Sequence, residues 1–86
     1  MVRNRSINWD DLRVFLAVFR SRSLRGAARL LGLNHATVNR RLRALEAGLG
    51  SKLFDRTRHG FFPTQAGEDL LDGAERVEDE LFKVQR

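Results

Sequence analysis

The run from Ser23 to Leu42, SLRGAARLLGLNHATVNRRL, constrains the fold more than any other part of the chain. Leu24, Ala27, Ala28 and Leu31 recur at helical spacing behind Ser23, a residue suited to an N-cap, and the paired alanines let another helix approach closely. Gly32 supplies the positive φ that a sharp turn needs. Leu33, Asn34 and Val38 then form a staple-and-cap set that opens a further helix. On that helix Val38, Leu42, Leu45 and Leu49 make an inward stripe, while Ala36, Arg40, Arg43 and Ala47 point the other way and Thr37 and Asn39 lie on the flanks. Gly48 and Gly50 are expected to stop it, giving a helix over about 35–48. Two short helices across a glycine turn, the second with arginines on its outer face, match a helix-turn-helix whose second helix enters the DNA major groove.

The flanking sequence completes a small domain. Asn8 and Asp11 have the spacing of a reciprocal N-cap, Ile7 and Leu12 occupy the staple positions, and Leu12, Phe15, Leu16 and Phe19 form a stripe on a first helix from about Trp9 to Ser21. After the glycines, Leu53-Phe54-Asp55 predicts a short strand, residues 56–60 a turn, and Phe61-Phe62 a returning strand, a wing with a basic tip. Thr64 caps a last helix that runs to the end. Its Leu70, Ala74, Val77, Leu81 and Val84 are spaced alternately by four and three, a heptad-type seam. The fold class is therefore mainly α, with a winged helix-turn-helix over residues 1–63 and a linker helix over 64–86. The helical pattern continues to the last residue without a C-cap, which suggests a piece of a longer protein.

Charge is divided between these two parts. Residues 1–63 carry thirteen basic against four acidic side chains, and residues 64–86 carry three against seven. A basic body with an acidic tail implies a polyanionic partner for the body alone. Fourteen of the sixteen basic residues are arginine, whose guanidinium forks onto phosphate and guanine where lysine offers a point charge. The absence of cysteine excludes disulfides and thiolate metal sites, and is compatible with a reducing cytosol. No apolar run is long enough to cross a bilayer and none follows Arg3 and Arg5 as a leader would, so a cytoplasmic protein with no membrane partner is expected. Two histidines far from any carboxylate–nucleophile set, no tyrosine and no phosphate-cradling glycine loop leave nothing from which to build an enzyme site. Neither a cofactor nor a metal is expected.

With these residues laid out, the chain resembles the N-terminal DNA-binding domain of LysR-type transcriptional regulators. The resemblance is carried by Asp11-Leu12-Arg13-Val14-Phe15, Ser23-Leu24, Ala27-Ala28, Leu30-Leu31, Val38, Arg40, Leu42, Leu45-Glu46, Leu49-Gly50, Leu53-Phe54, Arg56, Pro63-Thr64 and Ala66-Gly67. It implies a winged helix-turn-helix whose linker helix pairs antiparallel with its twin, dimers or tetramers on interrupted palindromes of double-stranded DNA, and a small-molecule effector sensed by a separate C-terminal domain absent from these residues. That family usually opens its recognition helix with Ser-Gln-Pro-Ala-Val-Ser-Arg-Gln. Here the segment reads Asn34-His35-Ala36-Thr37-Val38-Asn39-Arg40-Arg41, and the departures lie at the reading end.

The expected base-reading residues are His35, Ala36, Thr37 and Arg40. Arg40 is foremost, because bidentate arginine to guanine O6 and N7 is the commonest specific pairing, and Ala36 suits a thymine methyl. Ser23, Arg25, Asn34, Asn39, Arg43, Arg56 and Arg58 are expected at phosphates, with Ser23 at a helix N-terminus and Arg58 on the wing. Arg56 has a second reading as a brace between wing and body. Arg20, Arg22 and Arg29 crowd the corner between the first two helices, where one or two would track the backbone. The seam residues Leu70, Ala74, Val77, Leu81 and Val84 are expected to bury against a second copy. The alternative is that the last helix folds back onto Phe15 and Phe19. The rival functional class is a winged helix that binds an acidic protein surface.

Overall fold

The computed structural model describes residues 7–85, so Arg3 and Arg5 lie outside the described residues. Its elements run α1 (Trp9–Ser21), α2 (Leu24–Leu31), α3 (His35–Leu49), β1 (Phe54–Thr57), β2 (Gly60–Pro63) and α4 (Gln65–Gln85).

The local signals produce these boundaries directly. Asn8 Oδ1 accepts from the Asp11 amide at 3.0 Å while the Asn8 amide donates back to Asp11 Oδ2 at 3.3 Å, the reciprocal cap expected of that spacing. Ser23 Oγ accepts from the Gly26 amide at 2.8 Å and Asn34 Oδ1 from the Thr37 amide at 2.8 Å, opening α2 and α3. Gly32 ends α2 at φ 69°, in the left-handed region open to a residue without Cβ. The end of α1 is different. Arg22, the sole non-glycine residue with positive φ among the described residues, turns the chain at φ 61°. Such a backbone costs roughly 1–2 kcal/mol for an L-residue. It is offset by hydrogen bonds that Arg22 donates from its backbone N–H to the Val18 carbonyl and from Nε to the Phe19 carbonyl at 2.6 Å, and by stacking of the guanidinium over the Phe19 ring.

α1 is the central helix. Leu12, Phe15 and Leu16 are buried as expected, but so are Val14, Ala17 and Val18, because α2, α3 and α4 surround α1 and cover more than one stripe. Val38, Leu42 and Leu45 of α3 close the same core, together with Ala27, Ala28 and Leu53. Phe54 joins it from the wing, its ring 5.6 Å from Phe15 and 6.2 Å from both Phe19 and Phe61. Phe62, on the opposite face of its strand, is exposed.

Several expectations need correction. α3 runs through Gly48 to Leu49, and Gly50 alone caps it at φ 70°, since one glycine weakens a helix without ending it. Leu49, placed on the inward stripe, is 39% exposed: at the last turn the neighbouring helices have already ended. The wing is longer and its turn tighter than the sequence suggested. Leu53 precedes the strand and Phe54 pairs with Pro63 in antiparallel register through Thr57 and Gly60. The turn itself is Arg58-His59, closed by Thr57 Oγ1, which donates to the Gly60 carbonyl and accepts from the His59 amide, both at 3.0 Å.

The largest correction concerns α4. Thr64 Oγ1 accepts from the Gly67 amide and donates to the Lys52 carbonyl at 2.6 Å, which fastens the helix start to the segment before the wing. Gly67 is buried there; a Cβ at this position would run into the carbonyl oxygen of Leu53. From that anchor the first turns of α4 lie against the body. Ala74 is 1% exposed and belongs to the chain's own core, and Leu70 and Leu71 pack on it. Ala74 is therefore closed to a partner in this conformation, and Leu70 is partly covered. The apolar fold-back onto the body holds for this half of the helix; Arg20 reaches α4 once more at Glu78, and beyond that α4 outruns the body. Val77, Phe82 and Val84 are exposed, Val84 by 79%.

Candidate nucleic-acid interface

The outer face of α3 follows from its own apolar periodicity. Burying Val38, Leu42 and Leu45 against α1 and α2 forces Ala36, Arg40, Arg43 and Ala47 outward, and all four are exposed, as are Asn34 and His35 at the helix start. Thr37 and Asn39 are half-buried on the flanks. Arg40 and Arg43 enter no ion pair among the described residues. Arg58 stands exposed at the wing turn and Arg25 on α2. Asn34 and Ser23 each use their side-chain oxygen to cap a helix, so any phosphate contact there falls to neighbouring amides or to the remaining donor atoms.

Arg56 occupies a different environment. It lies on β1 rather than in the turn, half-buried. Its Nη1 donates to Asn39 Oδ1 at 2.6 Å, its Nη2 lies 3.8 Å from Glu46 Oε1, and the guanidinium sits 4.9 Å over the Phe61 ring. Glu46 in turn accepts from the Leu53 amide through Oε2 at 2.8 Å. The wing is thus bonded to the N-terminal half of α3 through Arg56, and the residue just before the wing to the C-terminal part of α3 through Glu46. Burial, followed by the nearby charge of Arg43, lowers the Arg56 pKa against the opposing effect of Glu46. Glu46 entered the sequence reading only as part of the family resemblance, with no role of its own. Its position one turn before Gly50 and seven residues before Leu53 gives no local signal, since the bond it makes spans the loop.

The corner arginines also have structural partners. Arg20 reaches α4, donating through Nη1 and Nη2 to Glu78 at 2.9 and 2.7 Å, with Glu75 at 3.7 Å. Arg22 is committed to the end of α1. Arg29, by contrast, stays exposed. Basic side chains of one composition therefore separate into two groups. Arg40, Arg43, Arg25 and Arg58 face solvent, while Arg20, Arg22 and Arg56 hold elements together.

Among the described residues no cluster of three or more His, Asp or Glu side chains is arranged to hold a metal ion, and no helix is long and apolar enough to cross a membrane.

The family described as "Bacterial regulatory helix-turn-helix protein, lysR family" matches residues 9–68. The chain is 40% identical over 76 residues to the HTH-type transcriptional regulator YofA of Bacillus velezensis, an alignment covering 88% of this chain and 26% of that protein. Among solved structures, Corynebacterium glutamicum OxyR in its oxidized form superposes with a TM-score of 0.92 at 27% identity, over 98% of this chain and 26% of that one. The CbnR_DBD–DNA complex superposes with a TM-score of 0.85 at 29% identity, over 92% of this chain and 91% of that one. The chain spans between 21% and 26% of the length of the curated relatives it matches.

Proposed function

Because the chain belongs to the lysR family of bacterial regulatory helix-turn-helix proteins, we propose that it binds double-stranded DNA sequence-specifically to regulate transcription, with α3 in the major groove. The observation that carries this reading is the outer face of α3, where Arg40 and Arg43 stand exposed without an acidic partner among the described residues. His35, Ala36, Thr37 and Arg40 read base edges from the N-terminal half of the helix. Arg43, Arg25 and Arg58 hold phosphate, and the α2 amides near Ser23 and the α3 start near Asn34 add contacts along the backbone. Arg56 acts as a brace for the wing, in keeping with its bond to Asn39. The likeness to a DNA-binding domain solved on DNA supports the same placement.

A second copy of the chain covers the outer half of α4. Val77, Leu81 and Val84 line one groove there with Gly73, Arg76 and Glu80, and their burial is worth about 1.5–3 kcal/mol per side chain before association entropy is charged. Two recognition helices related by a two-fold axis then address an interrupted palindrome. The protein works in the bacterial cytoplasm and needs no cofactor in these residues.

Selection of bound duplexes from a random pool, followed by salt titration on the winner, tests the reading. A motif with mirrored halves, bound with an affinity that falls by a log–log slope of about 0.9 per neutralised phosphate, is expected. Salt-insensitive binding, or no enrichment of any sequence, overturns it.

A further inference from the structure

Asn39 sits directly before Arg40 on α3, and Arg56 reaches it from the wing at 2.6 Å. A guanidinium has donors only, so the Asn39 atom facing it is necessarily the carbonyl oxygen. This fixes which way the carboxamide points. Its Nδ2 makes no hydrogen bond among the described residues and is not one of the buried orphaned atoms. Arg56 is half-buried with its guanidinium over the Phe61 ring and Nη2 3.8 Å from Glu46, and that Nη2 makes no hydrogen bond, so the bond to Asn39 is the one directional contact of the guanidinium among the described residues.

We propose that Arg56 is a positioning residue that acts through Asn39, locking its amide so that the duplex meets two N–H donors and no acceptor. The inference rests on the DNA-binding reading above and deepens it. A free asparagine pairs bidentately with adenine, accepting from N6 and donating to N7. The locked one keeps its oxygen turned to Arg56 and offers the duplex its N–H hydrogens. It is restricted to acceptors of the duplex, a phosphate oxygen or the acceptor edge of a base, and it rejects the mixed edge of adenine. The wing thereby governs a contact made by the recognition helix without touching DNA at that point.

A double-mutant cycle on duplex affinity separates this role from simple bracing. The proteins are wild type, Arg56→Met, Asn39→Ala and the double variant, each checked for native circular dichroism. Arg56→Met is expected to weaken binding about fivefold in the parent and less than about twofold once Asn39 is alanine, a coupling within the range of contacting residues. Equal losses in both backgrounds overturn the proposal, because a brace acting on the whole wing loses the same in each. If the methionine variant does not fold, Arg56→Lys, which keeps a single donor head, takes its place in the cycle; its loss is expected to be larger in the parent than in Asn39→Ala, and equal losses in both backgrounds overturn the proposal. A selected adenine whose preference vanishes in Asn39→Ala overturns the donor-only orientation. Failure of the wild type to bind any duplex instead removes the DNA-binding reading on which the inference rests.

Discussion

α3 and α4 are both amphipathic, 15 and 21 residues long, yet the chain completes them to different extents. The apolar side of α3 is closed along most of its length by α1 and α2, and its outer face carries Arg40 and Arg43 between small alanines. The last residue of α4 in the core is Ala74, and what remains exposed beyond it includes Val77, Phe82 and Val84, with Leu81 half-buried. Periodicity alone does not distinguish these cases, because a helical stripe states that a face is apolar and says nothing about how far the body beneath it extends. The end of the body therefore determines where intramolecular burial stops and where the face assigned above to the proposed second copy begins.

The sharpest way to break that contrast is to remove apolar groups on either side of it. Phe54→Ala, in the shared core, is expected to destabilise the chain by about 3–5 kcal/mol in chemical denaturation. Val84→Ala is expected to leave the dilute chain unchanged; a comparable loss would mean that the outer half of α4 is covered within one chain. Leu81→Asp is expected to forfeit about 1.5–3 kcal/mol of association per side chain. Sedimentation should then show monomer, and binding to a palindrome should weaken more than binding to one half-site. The charged face of α3 is tested by Arg40→Ala, with an expected loss of about 1–3 kcal/mol of discrimination at one base position and little change in melting temperature.

The smallest effect concerns the joint between the two regions. Hydrogen bonding from Arg20 holds the Glu78 carboxyl below its ordinary range, outweighing burial and acting in the same direction as the Arg20 charge. A carboxyl with a depressed folded-state pKa contributes stability above its unfolded pKa and loses it as the pH falls through the folded value. Because Arg20 is substantially exposed, that contribution is about 0–1 kcal/mol. Acidification below about pH 5 should lower the melting temperature of the wild type more than that of Glu78→Gln. Parallel curves would show that the pair does not orient α4.

What was legible in the sequence follows range of interaction. Asn8, Ser23, Asn34, Thr64 and Gly32 act within a few residues of themselves, so their caps and turns could be read from spacing. The winged architecture followed, because those boundaries left only one short hairpin between α3 and α4. The arginines were harder. Arg20 and Glu78 are 58 residues apart and Arg56 and Asn39 are 17 apart, and no local pattern marks either pair. An arginine bound for an intramolecular carboxylate looks the same in sequence as one bound for phosphate. The Glu75/Glu78 spacing on α4 was the available hint for Arg20, since it sets two acids on one helical face.

The left-handed corner at Arg22 has a consequence for engineering. Its carbonyl accepts from the Phe61 amide at 2.9 Å, so the hairpin is registered on the α1–α2 bend as well as on its own partner strand. Transplanting a hairpin from a relative would thus import a foreign register onto this bend. A graft that carries residues 21–23 along with residues 54–63 keeps both halves of that joint, whereas a hairpin moved alone leaves one of them without its counterpart.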